Sequence, residues 1–312
     1  MCNKTVTVIM STYNGSKYIK NQLDSLCLQK SVIIKLFVRD DGSSDNTVDI
    51  IELYRDKFEL LKIVCEENIG ATASFYRAAK MVDVDRSFDS DYYAFCDQDD
   101  IWLNVKLKTA IDKLQKNDLS KPILYYSNLM MMNNNNELLG MLIDNRNVPG
   151  SRYNALSAIN TYGCTCVFNK IALDKFCRIQ SKREFIYHDN WMYSVCSFLG
   201  MTYYDNSSYI KYRQTGSNVS GEKKTGLSLW KYRISKIFSL KQDNHLYENI
   251  AAELIDDFSD ELQTYDIKLL TCIRNYRKSF RDKIYLLTTS RMKTGNVSKN
   301  VCVIGRILLN AL

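Results

Sequence analysis

Four apolar runs separated by helix-spaced segments, three of them ending in polar or acidic turns, constrain this chain more than any other feature. Thr5-Val6-Thr7-Val8-Ile9-Met10 reads as a buried strand, and Tyr18 to Leu28 then places Ile19, Leu23, Leu26 and Cys27 on one helical face. A second strand, Ile33 to Val38, leads into a helix from about Asn46 to Lys57. Leu61 to Cys65 makes a third strand, Thr72 to Val82 another helix, and Tyr92 to Cys96 a fourth strand. Strands alternating with helices predict an α/β chain with a parallel, doubly wound sheet. Ligands of such sheets gather beyond the carboxyl ends of the strands. Those ends carry Ser11-Thr12-Tyr13-Asn14, Asp40-Asp41-Gly42-Ser43 and Asp97-Gln98-Asp99-Asp100, so polar residues are expected to cluster on one edge.

The turn at 97–100 has three carboxylates in four residues. Like charges so close raise one another's pKa unless a cation neutralises them. A hard divalent metal carrying a diphosphate would do so. Taken alone, the turn also reads as a solvated loop. Asp40 and Asp41 stand where a strand becomes a helix, with Gly42 permitting a tight turn. A carboxylate there accepts from a base N–H or from ribose hydroxyls, whereas Asp45 reads as helix capping.

The remaining features set limits. The chain of 312 residues fits one large domain or two modest ones, and no internal repeat is evident. Its ten cysteines form no Cys-x-x-Cys pair, and Cys164 and Cys166 are predicted on opposite faces of a strand. With Met1-Cys2-Asn3-Lys4 leading straight into a strand, no signal peptide is read. Reduced core cysteines of a cytoplasmic protein are expected, and a zinc site is not. No run of about 18 apolar residues spans a membrane. The charge of +7 is uneven: residues 211–312 hold 18 Lys and Arg against 10 Asp and Glu. That third reads as helical from about Leu227. One stripe runs through Leu246, Ile250, Leu254, Ile255, Phe258 and Leu262, and another through Leu269, Ile273, Tyr276 and Phe280. Asn133 to Asn136 reads as an exposed turn, and Trp230 as helix packing.

Ile9-Met10-Ser11-Thr12-Tyr13-Asn14-Gly15, Arg39-Asp40-Asp41-Gly42-Ser43-Ser44-Asp45, Asn68-Ile69-Gly70 and Asp97-Gln98-Asp99-Asp100-Ile101-Trp102 resemble, in order, the motifs of glycosyltransferase family 2. The Asp-Gln-Asp-Asp-x-Trp form with Lys106-Leu107, Gly163-Cys164-Thr165 and Tyr212-Arg213-Gln214 is most similar to its bacterial rhamnosyltransferase branch. The resemblance implies a GT-A fold over residues 1–220, with residues 221–312 as a helical extension. It also implies that Thr12 and Tyr13 contact the nucleoside, Asp40 reads the base and Asp97 touches ribose or donor sugar. Asp99 would bind Mg2+ or Mn2+ on the diphosphate. Asp189 would be the base of an inverting displacement, with His188 a rival on pKa grounds alone. Arg213 would pair with phosphate from a loop closing over the donor, while Trp102 and Trp191 would wall the acceptor cleft. Relatives commonly carry His where Thr215 stands, which places the completeness of the metal site in question.

The expected partners are a nucleotide-sugar donor, probed first as dTDP-rhamnose, and a glycan or lipid-linked acceptor. A UDP-hexose or UDP-N-acetylhexosamine donor is the alternative, and a nucleotide-sugar-binding protein without turnover is a different class. The basic C-terminal third fits a peripheral site on an anionic membrane, at the inner face of the plasma membrane. Its two stripes equally suit a homodimer. Nucleic acid is not expected, because the tail lacks a dense basic run with interleaved aromatics.

Overall fold

The computed structural model describes residues 3–143, 152–157, 161–180, 185–214, 245–294 and 296–312. Strands β1 (Lys4–Thr12), β2 (Val32–Asp40), β3 (Leu60–Cys65) and β4 (Tyr92–Cys96) pair in parallel, in the order β3-β2-β1-β4. Helices α1 (Ile19–Cys27), α2 (Thr47–Glu52) and α3 (Ala71–Val84) make the crossovers. The helix expected over 46–57 is interrupted after α2 and resumes as a single 3-10 turn, Arg55–Lys57.

Side-chain alternation along the strands builds two cores, one on each face of the sheet. Ile9, Phe37, Tyr93 and Phe95 enter the core shared with α3, whereas Val8, Met10, Leu36, Val38, Ala94 and Cys96 enter the core shared with α1. Parallel sheets need both faces covered. Register pairs Thr12 with Asp40 and Met10 with Cys96, so the carboxyl ends of β1, β2 and β4 lie level. The three polar turns therefore share one edge, as the strand pattern predicts.

Beyond β4 the sheet is mixed rather than parallel. The two-residue β8 (Val167–Phe168) runs antiparallel between β4 and β6 (Ile123–Met132), while β9 (Met201–Arg213) lies parallel to β6. The short β5 (Ile101–Trp102) closes the nine-stranded sheet on β9, and β7 (Leu138–Met141) pairs with β6 through the expected Asn133–Asn136 turn. Cys164 and Cys166 do enter opposite cores, but from a 3-10 turn that precedes β8. Five cysteines (Cys96, Cys164, Cys166, Cys196 and Cys272) are buried, whereas Cys27 and Cys65 are exposed, against the core reading. Helices α4 (Lys106–Leu114), α5 (Lys170–Phe176) and α6 (His188–Leu199) pack on this half.

Four further helices follow: α7 (Leu246–Phe258), α8 (Thr264–Asn275), α9 (Phe280–Thr288) and α10 (Val297–Leu308). Ile250, Leu254 and Phe258 join the core that holds Phe176 and Trp191, so the first apolar stripe is covered within the chain. The second stripe stops at Tyr276. Phe280 is 78% exposed because α8 has ended and Ser279 caps α9, accepting the Asp282 N–H and resetting the helical phase. Among the described residues no helix is long and apolar enough to cross a membrane. Residues 227–244, expected to be helical, lie outside the described residues, and Trp230 lies there with them.

Candidate active site

The acid turn after β4 is held from both ends. Gln98 pairs with the backbone of Tyr13, its Oε1 accepting the N–H and its Nε2 donating to the carbonyl. At the other end, the last residue of β9 clamps the turn. Arg213 donates its N–H to Asp100 Oδ1 at 3.0 Å and its Nε–H to the Asp99 carbonyl at 2.9 Å. Its buried guanidinium also donates to Asn136 Oδ1 at 2.8 Å and lies 4.5 Å from the Tyr18 ring centre. Arg213 thus belongs to a strand end and braces the turn; of the closing loop expected over 212–218, Tyr212 and Arg213 are the end of β9. Thr215 and the rest of that loop lie outside the described residues.

This bracing forces the carboxylates together. Burial, then the charges of Asp99 and Asp189, raises Asp97 to about 7. Burial also raises Asp99, against the charge of Arg213, and Asp100 is pushed far up by burial and by Asp97 and Asp99. Ligand atoms of Asp97, Asp100 and Cys164 lie within 4.8 Å of one another. Asp100 Oδ2 is buried with no hydrogen-bond partner among the described residues. The Cys164 thiol is raised well above its usual value by burial and then by Asp100 and Asp97. It lies beside both carboxylates.

Asp40 and Asp41 divide two tasks. Buried Asp40 accepts from Thr12 Oγ1 at 2.8 Å and from Ser43, through its N–H at 2.7 Å and its hydroxyl at 2.6 Å. It fixes the β1 and β2 turns to each other, and Tyr13 stands exposed beside them. Asp41 instead accepts the N–H groups of Ile69 and Gly70, both at 2.9 Å, and pairs with buried Arg39. Asn68-Ile69-Gly70 is therefore tethered as the lead-in to α3. Asp45 accepts from the Ser16 and Thr47 N–H groups, joining the β1 loop to the start of α2.

Asp189 lies in the first turn of α6, whose N-cap residue is Tyr187, so simple capping does not account for it. Burial raises it to about 6, against the amides of Asn190, which donates at 2.7 Å, and Gly163. Its charge acts on Asp97, and the Gly163 amide that it accepts from immediately precedes Cys164, whose sulfur lies beside Asp97 and Asp100. His188 is excluded as a base by its packing. Its ring stacks on Phe75 at 4.0 Å, meets Phe95 edge-on and fits where a Gly163 Cβ would clash. Burial lowers its pKa to about 3, so it is neutral.

Both tryptophans expected at the acceptor cleft are core residues. Trp191 is fully buried, donating from Nε1 to the Phe176 carbonyl at 3.1 Å. Trp102 is also buried, with Lys106 Nζ 3.3 Å from its ring centre. Lys106 is lowered to about 8 by burial, opposed by Cys96, Cys164, Cys166 and Asp100, and is an internal cation behind the acid turn. The bracing roles of Gln98 and Asp41 and the placement of Cys164 beside the acids have no signature in local spacing. Each depends on a partner far along the chain.

Residues 7–175 match Glycosyl transferase family 2. The dTDP-rhamnosyl transferase RfbG of Shigella flexneri is 30% identical over 260 residues, which cover 77% of this chain and 87% of that protein. The UDP-Glc:alpha-D-GlcNAc-diphosphoundecaprenol beta-1,3-glucosyltransferase WfgD of Escherichia coli is 30% identical over 173 residues, 55% of this chain and 62% of that one. Among solved structures, S. aureus TarS 1-349 matches with a TM-score of 0.53 at 18% identity, over 99% of this chain and 78% of that one. Its complex with UDP-GlcNAc matches at 0.51 and 17% identity, over 99% and 82%. The fold is the GT-A α/β architecture that the motifs imply.

Proposed function

We propose, on the premise that this chain belongs to glycosyl transferase family 2 and is a glycosyltransferase, that it moves L-rhamnose from dTDP-rhamnose to a cell-envelope polysaccharide or lipid-linked acceptor. The observation that carries the reading is the convergence of the acid turn, from the end of one strand, with Asp189, from the start of a helix. A donor diphosphate calls for carboxylates that can hold a cation, and an acceptor hydroxyl calls for a base.

In this reading Asp189 takes the proton of the acceptor hydroxyl as its oxygen bonds to the anomeric carbon. The bond from that carbon to the diphosphate oxygen breaks on the opposite face, which inverts the configuration. Asp97 contacts ribose or donor sugar, Thr12 and Tyr13 border the nucleoside, and Asp40 sets their turn. The carboxylate oxygens of Asp97 and Asp100, which lie within 4.8 Å of one another, would hold Mg2+ or Mn2+, with Asp99 of the same turn completing the set, and the buried Asp100 Oδ2 fits such an ion. Cys164 is a soft sulfur donor, which suits a hard cation less well than the carboxylates do. Asp99 remains the proposed principal ligand; a bound cation would neutralise charge on the departing diphosphate.

A UDP-hexose or UDP-N-acetylhexosamine donor is the second reading, supported by the likeness to WfgD and to TarS bound to UDP-GlcNAc. A panel of radiolabelled dTDP-rhamnose, UDP-glucose and UDP-GlcNAc separates them. Turnover of dTDP-rhamnose is expected, and turnover of UDP sugars alone overturns the rhamnosyl assignment. The working place we infer is the cytoplasmic face of the plasma membrane, where lipid-linked acceptors are met.

A further inference from the structure

We propose that α10, with α9 beside it, is a docking surface for an anionic lipid bilayer. The inference rests on the reading of a lipid-linked acceptor. It begins from an excess of apolar surface. Helix α10 buries one stripe, Val303 and Ile307, which satisfies its need to pack. It carries a second stripe left largely open to solvent: Val297, Val301, Ile304 and Leu308, all exposed, with Val297 at 81% and Ile304 at 43%. At 3.6 residues per turn these four fall within an arc of about 60°. Phe280 and Ile284, one turn apart on α9, are exposed as well. The two helices are joined by Lys283 Nζ, which donates to Asn310 Oδ1 at 2.7 Å.

Charge selects the occupant. Between residues 267 and 312 the only acid is Asp282, against ten lysines and arginines. Arg274 and Arg277 are paired with Asp256 and Glu248 of α7, while Lys268, Lys278, Arg281 and Lys293 are exposed. Lys268 and Arg281 also line an open cleft of about 520 Å3, together with Thr271, Cys272, Ser279, Tyr285 and the single carboxylate of Asp282, so two cations there face one acid. A second copy of the chain would bring the same positive surface against itself. An anionic bilayer offers the opposite charge and an acyl boundary for the apolar stripe, the two attractions that hold amphipathic helices at an interface.

The test is flotation of the full chain with phosphatidylcholine vesicles, with and without phosphatidylglycerol, beside Val301→Glu/Ile304→Glu and, separately, Val297→Glu. All three positions are exposed, and circular dichroism checks that each variant folds. The expected result is binding only to vesicles containing phosphatidylglycerol, weakened about tenfold or more in both variants. Absence of wild-type binding, equal binding to both vesicle types, or unchanged binding by both variants overturns the proposal. So does a wild-type dimer in sedimentation that the variants convert to monomer. Donor hydrolysis, assayed on the same samples without vesicles, reports separately on the transferase reading.

Discussion

Gln98 and Tyr13 are joined side chain to main chain, with Oε1 accepting the Tyr13 N–H at 2.9 Å and Nε2 donating to the Tyr13 carbonyl at 3.0 Å. Two turns 85 residues apart thereby form one rigid piece on the sheet edge. The pairing is possible only because residue 15 is glycine: a Cβ there would lie 2.2 Å from Gln98 Oε1.

Gly15→Ala and Gln98→Ala should therefore fail in the same way. Each is expected to raise the donor KM roughly tenfold, the worth of one or two hydrogen bonds, with little change in Tm. Because both break one pairing, the double variant should be no worse than either single one. Additive losses in steady-state kinetics would show that the two residues act separately.

Asp189→Asn removes the proposed base while leaving the packing of α6 in place. The expected loss in kcat is roughly 10²–10⁴-fold, with donor affinity by calorimetry unchanged. A protein that only binds nucleotide sugar would show no effect. In the native enzyme the base must be ionised, and burial sets Asp189 at about 6, so kcat/KM should fall as pH drops through about 6. A flat profile between pH 8 and 5 would exclude Asp189 as the titrating base.

The same carboxylates make stability depend on pH in a stated direction. Asp97 at about 7 and Asp189 at about 6 both lie above the usual value of about 4, so folding takes up protons. Their stabilising contribution is complete below about pH 4 and is lost as pH rises through 6 and 7. Thermal melts should show Tm lower at pH 8 than at pH 5. Asp97→Asn should raise Tm at pH 8 by a few degrees and shrink the difference. Mg2+ or Mn2+ should also raise Tm at pH 8 but not at pH 5, by binding the ionised form. A cation response absent at both pH values, or lost in Asp189→Asn but kept in Asp99→Ala, would move the metal site away from Asp99.

The parallel half of the fold was legible because each of its strands is a continuous apolar run, and its turns announce themselves by composition. The second half was not. β5 and β8 are two residues long, too short for any periodic signal, and β9 threads Asp205, Asn206, Ser207 and Ser208 through a strand whose register shifts against β6. Within the site, Asp97, Asp99 and Asp189 were readable as types of residue in a known order. The burial of Trp102 and Trp191 was not, since a tryptophan beside a motif looks alike in sequence whether it faces a cleft or the core. The tether that Asp41 provides is not legible either, because Ile69 and Gly70, whose N–H groups it accepts, follow only after an intervening helix and strand.

Arg213 reaches back 113 residues to hold Asp100, and that distance fixes an order of events. As the chain leaves the ribosome, β1 to β4 can pair before β9 exists. The acid turn at that stage has Tyr13 on one side and, just past it, Ser25 accepting the Trp102 N–H, but Asp99 and Asp100 themselves lack the clamp that Arg213 supplies. Competence for binding a donor then arrives late and abruptly, when the last strand of the sheet docks. A chain stalled short of residue 213 is expected to hold its parallel strands and yet be inert.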